Sequence, residues 1–178
     1  MKNLANSTIV AILLVTSAAF AQTAAPTLAG MYSQTVSGYT RLELATSSGF
    51  KTSGTAKAMF SYGIAKVRGK WLYRGTSAAA QLSSRPTLVL VSLIDVSTQA
   101  IALIRLDVKK DHREAEYVEA GVWSGVKEEN KDTIPLNVTR QPNTNNLTIT
   151  PVSDLPSGEY LLMADQGKGY DGYDFSVK

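Results

Sequence analysis

Apolar and polar residues alternate with a period of two along much of the chain, and beyond residue 21 no stretch keeps the 3.6-residue period of an amphipathic helix. In residues 39–45, Leu42 and Leu44 fall on one face and Arg41 and Glu43 on the other, which predicts a half-buried strand. Residues 57–67 and 71–74 read as two strands joined at Arg68-Gly69-Lys70, where the glycine can supply the positive φ of a tight turn. Residues 87–94 (TLVLVSLI) are apolar on both faces and predict a central strand, with residues 100–108 (AIALIRLDV) returning beside it. Residues 114–120 alternate again and end in a bend at 121–125. Residues 133–138 and 147–152 are short strands, the first holding Pro135, which fits an edge or a bulge. Residues 159–164 and 173–177 complete the set. The single helical candidate is short, residues 77–82 around Ala78-Ala79-Ala80.

Turn residues separate these runs at intervals of about eight to twelve positions. The expected fold is therefore all-β: a single antiparallel β-sandwich, immunoglobulin-like, with a closed β-barrel as the alternative. A chain of 178 residues, 44% of them hydrophobic, buries one good core and hardly two.

The first residues follow a different rule. Lys2 precedes the apolar run Ile9-Val10-Ala11-Ile12-Leu13-Leu14-Val15, and Ala19-Phe20-Ala21 fits the small-residue cleavage pattern of an export signal. The apolar run falls short of the roughly 20 residues that span a bilayer. The expected organisation is a signal peptide at 1–21, a flexible leader at 22–29 and one domain at 30–178, with the mature product periplasmic or secreted. The absence of cysteine excludes a lipoprotein anchor, and an exported domain of this size without disulfides suggests a bacterial source. The N-x-T sequons at Asn137 and Asn146 would then be chance matches.

The tail reads Leu155-Pro156-Ser157-Gly158-Glu159-Tyr160-Leu161-Leu162, followed by Tyr173-Asp174-Phe175-Ser176-Val177. It resembles the ending of a group of exported bacterial proteins of unknown function, "L-P-x-G-E-Y-x-L" followed by "Y-D-F-x-V". The pattern Leu103-Ile104-Arg105-Leu106, Lys109, Asp111, Arg113-Glu114 is similar to that group as well. The resemblance implies a β-sandwich and no activity. The residues themselves read structurally: Pro156 to Gly158 turn the chain into a strand, Tyr160 and Leu162 point to one face, and Leu161 and Met163 to the other. A tyrosine at a sheet corner can bury its ring and still bond its hydroxyl to backbone.

With no cysteine and one histidine, thiolate chemistry and every two-histidine metal motif are excluded. His112 lies in the charged run Lys109-Lys110-Asp111-His112-Arg113-Glu114, which reads as solvated; a triad would need a serine and a buried carboxylate held against it. Ser48-Gly49-Phe50-Lys51 and Ser124-Gly125-Val126-Lys127 match Ser-x-x-Lys but sit in turn sequence rather than at a helix start. Glu114, Glu116 and Glu119 read as a charged strand face, with Glu114 and Glu116 side by side, rather than as a glycosidase pair. The loop at 165–174 offers Asp165, Asp171 and Asp174 as a weak calcium candidate, with Lys168 in its middle. No catalytic residue and no cofactor is assigned.

Charge is uneven. Residues 22–105 carry nine basic side chains against two acidic, and residues 106–178 eight against thirteen. The basic concentration peaks at Lys51, Lys57, Lys66, Arg68, Lys70 and Arg74, with Phe60, Tyr62, Trp71 and Tyr73 between them, and Lys66, Arg68, Lys70, Trp71, Tyr73 and Arg74 form the candidate ligand-binding cluster. It could hold an anionic polymer, but alternation turns Trp71 and Tyr73 to the core side, and the two oppositely charged groups of strands are expected to complement each other within the fold. The expected function is thus a non-enzymatic exported interaction module, its partner an envelope or extracellular protein or an anionic polymer and not nucleic acid. The alternatives are a barrel carrier of a small ligand and, further off, a hydrolase.

Overall fold

The computed structural model describes residues 24–53, 67–121, 125–127, 133–165 and 170–178. The expected signal peptide, residues 57–66 and the bend at 122–124 lie outside the described residues. Among those described, fourteen strands form two open sheets, the all-β architecture expected of a β-sandwich. The first sheet takes β1 (Gly30–Thr35), β2 (Gly38–Arg41), β6 (Thr87–Val91), β11 (Leu136–Arg140) and β12 (Leu147–Pro151), in the order β11-β12-β6-β1-β2. The second takes β3 (Ser47–Ser53), β4 (Val67–Arg74), β5 (Gln81–Leu82), β7 (Ile101–Val108), β8 (His112–Gly121), β13 (Gly158–Asp165) and β14 (Tyr170–Val177), in the order β3-β4-β8-β7-β13-β14-β5. In addition, β9 (Gly125–Lys127) lies on β8 and β10 (Thr133–Ile134) on β7. Neither sheet closes on itself, so the barrel alternative is corrected.

Leu88 and Leu90 of β6, Leu103 of β7, Leu147 and Ile149 of β12, and Leu162 and Phe175 of β13 and β14 meet between the sheets and are almost wholly buried. Each such side chain stabilises the fold by about 1.5–3 kcal/mol relative to exposure. The strand at 87–94 is central as expected, but it ends at Val91, and its expected neighbour is not beside it. Instead β6 pairs with β1 and β12, while β7 sits in the opposite sheet against β13. The connection between them is no hairpin: buried Val96 and the 3-10 turn Thr98–Ala100 carry the chain across the core. Pro135 marks a second crossing. It separates β10, which pairs with β7, from β11, which pairs with β12, because proline cannot donate to a ladder.

Two further expectations are corrected. Val67 to Arg74 is one continuous strand, with no turn at Arg68-Gly69-Lys70. Gly69 is instead required by packing, since a Cβ there would run into the ring of Phe50 on β3. Residues 77–82 are not helical but bend into the short strand β5: β14 holds them through Ser176 N, which donates to Ala80 O at 2.8 Å, and Glu159 accepts from Ala78 N at 2.7 Å. The stretch at 39–45 also divides. Leu42 is buried under the first sheet, whereas Leu44 is exposed and bridges to Tyr173 of the second.

After two pairs with β7, strand β8 departs along β4. The ribbon β3-β4-β8 then folds over the outer face of the second sheet, where Tyr73 and Ala115 pack on Ile104, Leu106, Leu161 and Met163. The tail behaves as its pattern predicts: Tyr160 and Leu162 enter the central core, and Leu161 and Met163 the layer beneath the ribbon. Tyr160 stacks on Phe175 and its hydroxyl donates to Pro156 O at 2.5 Å. Arg105 lies over Gly158 and donates to Ser157 O at 2.8 Å. The same device recurs at β1: Tyr32 donates to Leu28 O at 2.9 Å, and Arg41 lies over Gly30 and donates to Ala29 O at 3.1 Å. Leu28 and Ala29, expected in a flexible leader, are thereby pinned to the fold.

Candidate functional site

On one side of the sandwich the edge strands β2 and β5 do not meet. They leave an open cleft of about 660 Å³, within the size range of ligand sites. Ser33, Thr35, Thr40 and Leu42 form one wall, the stretch from Ala79 to Leu82 faces them, and Tyr73, Arg113 and Asp174 close the bottom. The crossover from Glu43 to Thr46 bounds one end.

The bottom is a saturated charge cluster. Arg113 is only 4% exposed, and its Nη1 reaches Asp174 Oδ2 at 2.7 Å and Glu159 Oε2 at 3.3 Å. Its Nε and Nη2 donate to the carbonyls of Gly75 and Arg74 at 3.2 and 3.1 Å. A buried guanidinium is tolerated only when its donors are matched in this way. Burial, and secondarily the charge of Asp174, pushes the Tyr73 phenol up to about 12. At the entrance stand the exposed Arg41, Glu43 and Arg74. No side chain among the described residues pairs with the Arg74 guanidinium.

A second cluster occupies the outer face of the ribbon. Lys70 Nζ lies 2.9 Å from Glu114 Oε2 and 4.0 Å from Glu116 Oε2. His112 contacts Asp111 Oδ1 through Nδ1 at 2.7 Å and Glu114 Oε1 through Nε2 at 3.2 Å. The bond to Asp111, and then that to Glu114, raise the imidazole above its ordinary value. The bond from Lys70 holds the Glu114 carboxyl below its usual range, against the effect of burial. The bond to Glu114 likewise raises Lys70. With carboxylates on both ring nitrogens, His112 is a charge partner, and the Ser48 hydroxyl is given to Leu72 O at 3.2 Å. Ser124 lies outside the described residues.

The candidate cluster on β4 is therefore split. Tyr73 and Arg74 line the cleft, and Lys70 is neutralised by the acids of β8. Arg68 is in register with Glu119, and Trp71 meets Phe50 edge to face at 4.9 Å. Lys66 lies outside the described residues. The expected complementarity of the basic and acidic strand groups is thus seen where β4 pairs with β8. Asp174 is bound to Arg113, away from the expected calcium loop, and the side chains of Asp165 and Asp171 are outside the described part. Among the described residues, no group of three or more histidine, aspartate or glutamate side chains is placed to hold a metal.

Sequence reasoning missed Arg41, Arg113 and Glu159 as parts of one site. A signal for Arg113 was present: in a period-two strand it shares the face of Ala115, which is buried. Comparison with protein-family models, curated proteins and solved structures found no match. Among the described residues no helix is long and apolar enough to cross a membrane.

Proposed function

We propose that this chain is an exported interaction module that works by binding a partner in the cleft between β2 and β5, without catalysing a reaction. The observation that carries this reading is the contrast inside the cleft: its buried charges are bound to one another, whereas Arg74 at the entrance has no partner among the described residues. Export is read from the signal pattern at 1–21, and the resemblance of the tail to exported bacterial β-sandwich proteins supports it. The carrier alternative draws no support from a core filled by fully buried side chains. The hydrolase alternative draws none from a histidine bound by two carboxylates.

The test is a photo-crosslinking amino acid placed at Gln81, facing the cleft, or at Thr98, exposed on the 3-10 turn, in the chain expressed by its own host. A discrete adduct at Gln81 and none at Thr98, lost on Arg74→Glu, is expected. Equal adducts at both positions, or none at either, would refute the reading.

A further inference from the structure

Resting on that reading, we infer that the occupant of the cleft is an extended peptide segment of a partner protein, which adds as a strand to the free edge of β2 and sets a carboxylate against Arg74. The parity of the ladder identifies the available groups. Leu42 N donates to Met31 O at 2.8 Å, and β1 and β2 are in register at Ser33↔Thr40 and Tyr32↔Arg41. Hydrogen-bonded pairs alternate along an antiparallel ladder, so Gly38, Thr40 and Leu42 turn their main-chain groups to β1. The N–H and C=O of Tyr39 and Arg41 then point away from it. Among the described residues β2 has no second neighbouring strand.

The opposite wall has the same character. Ser176 N donates to Ala80 O in a parallel pair registered at Ser176↔Gln81, so the main-chain groups of Gln81 point away from β14. Two unpaired strand edges thus face one cleft, and such edges are templates for a further strand. Of the two, β2 is the longer, four residues against two, and offers about 13 Å of edge.

The charges favour a peptide over an anionic polymer. A polymer needs a row of uncompensated cations, but the basic side chain Lys70 is taken by Glu114 and Glu116, and at the entrance Glu43 accompanies Arg41 and Arg74. One carboxylate opposite Arg74 is what this arrangement accommodates. The hydroxyls of Thr35 and Thr40 and the side chain of Leu42 then meet alternate residues of the added strand.

The experiment is an NMR titration of the isotope-labelled exported chain with a hexapeptide alternating valine and threonine around one glutamate. Saturable amide shifts centred on Tyr39 and Arg41 are expected. Replacing the glutamate by lysine should weaken binding about two- to fivefold, the range of an exposed ion pair. Methylating an amide nitrogen that faces β2 should weaken it about tenfold, one hydrogen bond. The Arg74→Glu variant should prefer the lysine peptide, a reversal that a misfolded protein would not show. Equal binding of the N-methylated peptide would overturn strand addition, and shifts produced by inorganic polyphosphate but not by the peptide would replace it with polymer binding. If no peptide binds while the Gln81 crosslinker still traps a partner, the ligand class is wrong and the interaction-module reading stands; if both fail, both fall.

Discussion

Replacing Arg113 by methionine isolates the cluster beneath the cleft. The change keeps an unbranched apolar stem to pack in place of the arginine's but leaves the carboxylates of Asp174 and Glu159 facing each other without their shared cation. Glu159 retains one donor, the amide of Ala78, and the carbonyls of Arg74 and Gly75 lose theirs. Removing one member of a buried ion pair costs about 3–5 kcal/mol, mostly from the charge left behind. In a chain of this size that corresponds to a fall in Tm of about 10–15 °C. Urea denaturation followed by circular dichroism measures it, with an unchanged m-value showing that the same surface unfolds.

The control is the triple variant Arg113→Met, Glu159→Gln, Asp174→Asn. It removes the stranded charges, keeps an acceptor for Ala78, and should recover about half of the loss. A single-variant cost below about 1 kcal/mol, the value of an exposed pair, would refute the reasoning. So would a triple variant no more stable than the single one.

Tyr160→Phe and Tyr32→Phe should each cost about 1 kcal/mol in urea melts, because both delete one hydroxyl bond to the carbonyl four residues back; a loss at only one site would show that the two corners are not equivalent. The pH dependence of stability should have two limbs. His112 is raised, so its contribution is whole below the unfolded imidazole value of about 6.5 and is lost as pH rises through the folded value. Glu114 is lowered, so its contribution is present above the ordinary carboxylate range and is lost as pH falls. His112→Gln should flatten the alkaline limb and, because the imidazole also helps to hold Glu114 low, weaken the acid one, in urea melts taken from about pH 3 to about pH 9; an unaltered profile would count against the network. Gly69→Ala should displace the Phe50 ring, cost about 1–3 kcal/mol and alter tryptophan fluorescence through Trp71; a neutral result would remove the packing role assigned to this glycine. Chelator should leave Tm unchanged, since Asp174 is held by Arg113, and a drop of several degrees would restore the calcium loop.

Period-two alternation was enough to identify the strands at 114–120, 159–164 and 173–177, because a strand with one buried face must place its apolar residues at every second position. Local chemistry was legible too: Pro135 had to interrupt a ladder, the Pro156–Gly158 turn had to precede Tyr160, and a basic strand group had an acidic one to answer it. What alternation leaves open is the identity of the layer on the other side. Residues 100–108 satisfy the pattern equally well beside β6 or across the core from it, and only the crossing through Val96 decides the second. Gly69 looked like a turn because the ring that needs its missing Cβ is on another strand. The cleft is the extreme case. Arg41, Arg74, Arg113 and Asp174 lie on four strands, and their meeting follows from the folding of the ribbon over the second sheet and the open side left between β2 and β5, long-range packing that no local period records.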